Sequence, residues 1–391
     1  MTSALALRPI NAQQPISTIE ELRAHLFHAA QLELSTIPLY LYAAYSIQTQ
    51  SYSQWAPSVS AFRSIRSVVI EEMLHLSLAR NLMIAVGGAD EIRFYDKDFV
   101  PTYPSPMLHR IPTLTLSLEP CSQKLMRDVF MPLELPAKTD AAPQPNEYHT
   151  IGQFYAAIKQ GFETLDGPEL WKGNQPALQY ASTYWNQDGG GSPIVVCDLQ
   201  TALDAIKTIV EQGEGIDPHR AVVPLDPVKP QPGLSELSHY AKFRRIAEGI
   251  DQIGTVWPVG DNPCAADYPS PARELAEFFN AAYSYLLYML DALFSSSRKT
   301  IVPGQQSPRY GIERAFVGAM NGLVFPIADL LVRQPIGDGT NAAPTFEFNP
   351  FDLGQPLPQQ LAAMCDALLG QYPSLGGDNG VRAMISMLPH A

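Results

Sequence analysis

Two Glu-x-x-His sequences, each set within an apolar helical pattern, constrain the fold of this chain more than any other feature. They are Glu72-Met-Leu-His75 and Glu236-Leu-Ser-His239. Residues three apart on a helix point the same way, so each pair would present one carboxylate and one imidazole on the face that should be buried. Groups that can bind a metal ion therefore interrupt two helices whose other inward residues are apolar.

Two further helical patterns carry a glutamate in the corresponding position. Helix A begins at Ser17-Thr18, where the Ser/Thr-x-x-Glu spacing is that of a capping box, and carries Glu33 on its apolar stripe. Helix C ends in Glu-Gln-Gly-Glu-Gly, which offers either Glu211 or Glu214 as the inward glutamate. Glu214 lies four and eight residues after apolar members of the inward face, so we choose it and keep Glu211 as the alternative.

The four helices together match a known arrangement for binding two metal ions. A four-helix bundle does so when two helices give one inward glutamate each and the other two give Glu-x-x-His. Four carboxylates and two imidazoles neutralise two divalent ions and leave coordination positions open for oxygen or substrate. The predicted metal ligands, in order along helices A to D, are Glu33, Glu72, His75, Glu214, Glu236 and His239.

Two alternatives to this ligand set stay open in the sequence. Glu71 lies four residues before His75, although Glu72 has the three-residue spacing and continues the apolar stripe. The same groups could instead form buried ion pairs without a metal ion, and Arg244 and Arg245 of helix D could pair with Glu236 or Glu248. No lysine or arginine lies on the glutamate-bearing stripes of helices A and B, which favours the metal site.

Other polar motifs are weaker candidates for a site. His25 and His28 precede Glu33 by one to two turns, and we interpret them as surface or core histidines rather than ligands. The Asp-Gly-Gly-Gly-Ser at 188–192 lacks the strand and helix of a phosphate loop, so it predicts a turn. Tyr40, two turns after Glu33, is the candidate catalytic residue because it could border a dimetal pocket.

The pattern of helices predicts a mainly all-α fold. Between helices B and C the proline-rich residues 89–197 hold only a strand-like 113–118 and one helical segment at about 150–165, which indicates a long crossover inserted into the bundle. The bundle with its crossover would span 14–255, and a C-terminal helical extension packed on the bundle would span 256–391. The helices of this extension are predicted at about 272–294, 309–332 and 359–369.

Composition excludes several classes of partner. The chain has 26 basic and 39 acidic residues, a net charge of −13, which repels nucleic acid and anionic membrane surfaces. Its richest apolar stretch, 315–332, is broken by polar residues and proline, and its first residues lack the apolar core of a signal peptide. We therefore expect no nucleic-acid partner, no membrane partner and a cytoplasmic location. The four cysteines lie far apart, which excludes zinc-ribbon spacing.

Five segments of the chain stand out by their residues: QLELSTIPLYLYAAYSI, EEMLHLSLARNLMIAVGG, VPTYP, IVEQGEG and ELSHYAKFRRI. They resemble the ferritin-like domain family of the violacein-pathway iminophenyl-pyruvate dimer synthase, over about residues 17–250. The resemblance implies a ferritin-like four-helix bundle with a long B-to-C crossover, the same metal ligands, and oxidative chemistry on aromatic imino acids. We expect this chain to be a stand-alone member of that family.

These features predict a non-haem dimetal oxidase or oxygenase that acts on a small, aromatic, amino-acid-derived metabolite. We expect two divalent metal ions, iron with manganese as the alternative, and as partners dioxygen and the small-molecule substrate, with a homodimer as the candidate assembly. The competing functions are iron storage and a metal-binding module without turnover. The long crossover and the many residues after helix D would obstruct the cage packing of a storage ferritin, which favours the enzyme.

Overall fold

The computed structural model describes residues 9–49, 57–135, 142–181, 190–213, 222–224, 235–299, 305–337 and 339–389. Its helices are α1 (Ile19–Ser46), α2 (Ser60–Ala85), α3 (Gln123–Leu125), α4 (Met131–Leu133), α5 (Ile151–Leu165), α6 (Pro168–Trp171), α7 (Leu199–Gly213), α8 (His239–Ala247), α9 (Ala272–Ser295), α10 (Pro308–Ala319), α11 (Phe325–Leu331), α12 (Leu357–Leu368) and α13 (Val381–Ser386). Two π-helical turns join α3 to α4 and α10 to α11: Met126–Phe130 and Met320–Val324. Short 3-10 turns lie at Pro57–Val59, Ala265–Asp267 and Pro373–Leu375.

The strands of the described residues are short and pair only in twos. All three pairs are antiparallel: β1 (Ser105–Pro106) with β2 (Thr115–Leu116), β3 (Val222–Pro224) with β4 (Ser235–Leu237), and β5 (Pro335–Gly337) with β6 (Thr340–Asn341). The strand-like segment predicted at 113–118 contains β2. The prediction of a mainly all-α fold whose crossover contains little strand is confirmed.

α1 begins where the sequence predicts. The hydroxyl of Thr18 accepts from the backbone N–H of Glu21 at 3.1 Å, and the Glu21 carboxylate accepts from the N–H of Thr18 at 3.0 Å. These two bonds complete a capping box and satisfy N–H groups that have no partner within the helix. Pro38 lies inside the helix, which nevertheless continues to Ser46 and so carries Glu33 and Tyr40 on one continuous element.

Thr18→Ala is expected to lower the free energy of unfolding by about 1 kcal/mol, because it removes the cap acceptor of α1. Urea denaturation followed by circular dichroism measures the change. The matched control is Thr164→Ala near the end of α5, whose hydroxyl donates to the Gln160 carbonyl of the same helix at 2.7 Å. Equal losses in the two variants would show that the capping box contributes nothing specific.

The predicted helices A, B, C and D are α1, α2, α7 and α8. α1 packs along α2, α2 contacts α7 and α8, and α7 contacts α8. The facing residues are apolar and buried, among them Leu26, Val68, Leu82 and Ile206. α5 of the crossover contacts both α1 and α7. These elements belong to one compact unit, which comprises Met1–Ile92, Tyr103–Ser117 and Cys121–Thr255.

The sequence pattern places Glu236 and His239 on one helix, helix D, and this prediction is wrong. Ser238 is the N-cap of α8, with its hydroxyl accepting from the N–H of Ala241 at 3.3 Å, so His239 is the first helical residue. Glu236 lies before the cap in β4, where its backbone pairs with Val223. The helical three-residue geometry predicted for Glu236 and His239 therefore does not apply, because the chain between them is extended.

Within the crossover, a helical segment is distorted by a π-helical turn just before an acidic residue. The segment runs from α3 through Met126–Phe130 to α4 and contacts α8. A π turn adds a residue to the helical frame and is frequent at functional sites. Glu134 follows directly as the C-cap of α4. The helix predicted at about 150–165 is α5, and Thr150 is its N-cap.

A second compact unit comprises Arg93–Thr102, Leu118–Pro120 and Val256–Ala391. Within it α9 contacts α10, α11 and α12. The composite helix Arg309–Leu331 has 23 residues and a mean hydropathy of 1.3 in its most apolar window, of which 33% is buried. Length and composition alone would let such a helix cross a bilayer. The absence of a membrane partner therefore stays a prediction.

Candidate metal centre

Carboxylates and imidazoles from three bundle helices and the crossover meet inside the first unit. α1 supplies Glu33, α2 supplies Glu72 and His75, α8 supplies His239, and the end of α4 supplies Glu134. All five are at most 4% exposed. Charged groups are almost never buried so completely unless something pairs with them.

Both imidazoles turn the same ring nitrogen toward the carboxylates. Nδ1 of His239 lies 2.8 Å from Oε1 of Glu72 and 3.5 Å from Oε1 of Glu134. Nδ1 of His75 lies 3.7 Å from Oε2 of Glu33 and 3.9 Å from Oε1 of Glu72. The carboxylate of Glu72 therefore lies between the two imidazoles, whose rings stack with centroids 5.2 Å apart.

The other ring nitrogen of each histidine is held by a neighbouring acceptor. Nε2 of His75 lies 3.0 Å from Oε1 of Gln212 on α7, and Nε2 of His239 lies 3.0 Å from Oε2 of Glu71 on α2. An amide oxygen and a carboxylate only accept, so each Nε2 donates to its partner and each Nδ1 is the nitrogen that faces the carboxylates of the cluster. Histidines that ligate metal ions are oriented in this way.

Glu71 has partners on both of its oxygens and is not aimed at the cluster. Its Oε2 also accepts from Nζ of the buried Lys242 at 2.7 Å, and its Oε1 accepts from the N–H of Gly190 at 2.9 Å. Burial raises the pKa of Glu71, but the Lys242 charge and the bonds from His239 and Lys242 outweigh it and bring that pKa to about 2. Glu71 is thus an anion that orients His239, which leaves Glu72 to face the interior of the cluster.

Hydroxyl groups hold the carboxylates of the cluster in place. Thr36 donates to Oε2 of Glu72 at 2.7 Å, Tyr155 of α5 donates to Oε1 of Glu33 at 2.5 Å, and Tyr40 donates to Oε1 of Glu134 at 2.6 Å. Burial, together with the neighbouring carboxylates, raises the pKa of Tyr40 and Tyr155 well above the usual range, so both remain protonated donors. Tyr40, the predicted border residue, therefore contacts the cluster through Glu134.

The donor set fits a divalent metal ion. Glu72, His75 and His239 each offer a ligand atom within 4.8 Å of the other two. Nδ1 of His239 is buried without a hydrogen bond of acceptable geometry, although Oε1 of Glu72 lies only 2.8 Å away. Two atoms bound to one ion at about 2.1 Å stand about 3.0 Å apart when they are at right angles. The separation of Nδ1 of His239 from Oε1 of Glu72 is therefore close to that expected for two ligands of one ion.

A proton is the competitor of a metal ion at this nitrogen. Burial lowers the pKa of His239, but the charge of Glu134 and the nearby carboxylates of Glu71 and Glu72 outweigh it and raise that pKa well above the usual value. Burial raises the pKa of Glu72 to about 7, with the Glu134 charge adding to it and the His239 bond opposing it. The same crowding of carboxylates would be relieved more fully by a divalent ion than by one proton.

The structure brings together four of the six predicted ligands: Glu33, Glu72, His75 and His239. Glu214 and the side chain of Glu236 lie outside the described residues, so their roles stay predictions. The alternative Glu211 is partly exposed, and its Oε1 lies 3.9 Å from Nζ of Lys207 one turn earlier on α7. On α7 the buried residues at this end are instead Gln212 and Gly213.

Histidines and arginines outside the cluster have other partners. His25 is buried, with Nδ1 2.8 Å from the Glu21 carbonyl and Nε2 3.2 Å from the Tyr148 hydroxyl. Nε of Arg244 lies 3.8 Å from Glu248, and Nη2 of Arg245 lies 3.0 Å from Asp251. The buried ion pair that the sequence left open does exist, but it joins Lys242 to Glu71. The one sequence feature that indicates this ion pair is the position of Lys242, about one turn after His239 on the same helix.

A small cavity opens onto the cluster. Its polar lining comes from the carboxylates, Thr36 and His75, and its apolar lining comes from α5 and α7. The apolar residues include Ile151, Ile209 and Val210. The crossover thus forms part of the wall through α5 and through Glu134. Apolar walls around a few convergent polar groups are typical of small-molecule sites.

Comparison with known proteins agrees with this architecture. The family model described as "Ferritin-like" matches residues 26–248. A dichlorochromopyrrolate synthase from Lentzea aerocolonigenes is 27% identical over 86% of this chain and 36% of its own length, and a 2-imino-3-(indol-3-yl)propanoate dimerase from Chromobacterium violaceum is 27% identical over 92% and 37%. The chain therefore spans about a third of the length of these relatives.

A solved structure shows the same fold. A ferritin-like protein from Caulobacter vibrioides is 24% identical, with a TM-score of 0.56 over 85% of this chain and 99% of that chain. The predicted ferritin-like four-helix bundle, with its long crossover and additional C-terminal helices, is confirmed, and so is the resemblance on which it partly rested.

Proposed function

The chain belongs to the ferritin-like family, and from this premise we propose that it is a non-haem dimetal oxidase or oxygenase that uses dioxygen. The metal ions we propose are iron, with manganese as the alternative. The observation that carries the proposal is the pair of buried imidazoles that turn Nδ1 toward shared carboxylates while their Nε2 atoms are held by Gln212 and Glu71.

The residues divide naturally between two ions. Glu33 and His75 would hold one ion, His239 would hold the other, and Glu72 lies where its carboxylate could reach both. When bound, such a pair supplies electrons to dioxygen and open positions for a substrate. The protein's own part is to fix the ligands through hydroxyl, amide and carboxylate partners, and to limit water through the apolar wall of the cavity.

We propose that the substrate is an aromatic α-imino acid or a close relative of one. The support is the name of the relative from Chromobacterium violaceum, a dimerase of 2-imino-3-(indol-3-yl)propanoate, which is an imino acid that carries an indole ring. Because this chain covers only about a third of that relative, the proposal extends to the class of substrate and not to the dimerisation itself.

Ferrous iron added in large excess under air is expected to leave about two ions per chain after gel filtration, because the ligand set is sufficient for two ions and no more. The measurement is iron per chain by mass spectrometry of the protein peak. Retention of hundreds of ions per assembly would replace the proposal with iron storage.

A second measurement separates an enzyme from a metal-binding module without turnover. The protein loaded with iron is mixed with 2-imino-3-(indol-3-yl)propanoate, generated in place by an amino-acid oxidase together with catalase, and dioxygen consumption is followed after the oxidase is removed. Consumption that depends on both iron and the imino acid supports the oxidase. Two bound ions with no consumption for any aromatic imino acid would favour the module.

A further inference from the structure

We infer that Glu134, from the crossover, is a ligand of the metal ion that His239 holds. This inference rests on the proposed dimetal site and adds to it a carboxylate from outside the four bundle helices. Glu134 lies in a proline-rich segment with no helical period of its own, so the sequence pattern predicts no role for it.

The position of the Glu134 carboxylate supports the inference. The side chain is 3% exposed, and its Oε1 lies 3.5 Å from Nδ1 of His239, the buried nitrogen that has no hydrogen bond. Ligand atoms bound to one ion at about 2.1 Å stand about 3.4 Å apart at the tetrahedral angle and about 3.0 Å apart at right angles. Glu134 and Glu72 therefore flank one unsatisfied nitrogen at distances that one ion can span.

The end of α7 is built to leave room for this carboxylate. A Cβ added to Gly213 would stand 3.1 Å from Oε2 of Glu134, closer than an ordinary van der Waals contact. The preceding residue, Gln212, is directed to His75 instead. Gly213 therefore gives the Glu134 carboxylate room beside the last described turn of helix C.

The surroundings of Glu134 favour a ligand over a structural ion pair. Across the part of the chain that the structure describes, Glu134 pairs with no lysine or arginine, and its partners are the Tyr40 hydroxyl and the imidazole of His239. A carboxylate that is buried without a lysine or arginine partner lowers the stability of the protein unless another positive charge compensates it. Coordination of a metal ion would explain the burial of Glu134, because the ion would supply the positive charge that the empty site lacks.

The test is a cobalt(II) titration of the metal-free full chain, followed by calorimetry and by the visible absorption of bound cobalt. For Glu134→Gln, which keeps the volume and removes the charge, we expect one ion bound as in the wild type and the other bound at least roughly tenfold more weakly, with a changed absorption spectrum. The matched control is Glu163→Gln on α5, an exposed glutamate near Lys159. It should bind both ions as the wild type does.

Stability measurements guard against a variant that merely misfolds. Without metal, Glu134→Gln should melt at the temperature of the wild type or above it, because a neutral amide replaces a buried charge. With cobalt, its melting temperature should rise less than that of the wild type. Gly213→Ala should likewise keep the metal-free melting temperature and weaken the second ion, because the added methyl group crowds Oε2 of Glu134.

The outcomes separate this inference from the proposed function. If the wild type binds no cobalt, the dimetal site is wrong and the inference is wrong with it. If the wild type binds two ions and Glu134→Gln binds both with unchanged affinity and spectrum, only the inference is overturned. It is also overturned if Glu134→Gln is destabilised in the metal-free form to the same extent as with metal, because that pattern belongs to a structural carboxylate.

Discussion

Replacing His75 and His239 together with alanine is expected to abolish tight binding of divalent metal, and each single replacement should remove about one of two ions. Among the described residues these two histidines are the nitrogen donors of the cluster, and each faces a different set of carboxylates. A carboxylate alone holds iron or cobalt more weakly than it does together with an imidazole. The measurement is metal per chain after reconstitution and removal of excess ion.

His149→Ala serves as the control for these replacements. This histidine lies in the crossover with Nε2 3.1 Å from the Ala142 carbonyl, so its loss should leave both ions bound. Full metal occupancy in the double variant would show that the buried cluster is an ion-pair network and not a metal centre. Loss of both ions in each single variant would show instead that the two sites fill only together.

Lys242→Met is expected to lower the free energy of unfolding of the metal-free protein by about 3–5 kcal/mol. The reason is that Glu71 is buried and its Oε2 accepts from Nζ of Lys242 at 2.7 Å, so the variant leaves a buried charge without its cation. Methionine retains the apolar stem of the lysine and limits the loss of packing. Equilibrium urea unfolding measures the difference.

A double-variant cycle isolates the charge pair. Glu71→Gln with Lys242→Met removes both charges and should recover much of the stability lost in Lys242→Met alone, so the two changes should be far from additive. Arg244→Met on the same helix is the control, because Arg244 pairs with the exposed Glu248 at 3.8 Å and should contribute less than about 1 kcal/mol. If the losses in the free energy of unfolding from Glu71→Gln and Lys242→Met simply added, the two residues would not stabilise the protein as an ion pair.

Much of the bundle could be predicted because its signals are local. Period-3.6 apolar stripes place α1 and α2, and the Thr18 capping box marks where α1 begins. Glu33, Glu72 and His75 stand out because polar groups on an apolar stripe break a pattern that is otherwise consistent. The sequence also predicts His239 as a ligand, although His239 does not share a helix with Glu236, because Glu236 lies in β4 and α8 begins only after the Ser238 cap.

The remaining parts of the site depend on contacts between distant segments, which no local pattern reveals. Glu134 and Tyr155 come from the crossover and lie close to Tyr40 and Glu33 only in the folded chain. A buried tyrosine on an amphipathic helix has the same sequence signal whether it packs or donates a hydrogen bond. The tightness at Gly213 is a property of two elements together, and the glycine alone would indicate only a helix terminus.

The different partners of the two Nε2 atoms make the halves of the cluster chemically unequal. His239 faces the anionic Glu71, which strengthens the electron donation of its imidazole, whereas His75 faces the neutral amide of Gln212. Lys242 moderates this difference by drawing on the same carboxylate oxygen. Two ions bound here would therefore differ in how readily they are oxidised, and the ion beside His239 would be oxidised first. In a protein with only one of its two ions oxidised, that ion should be the one beside His239.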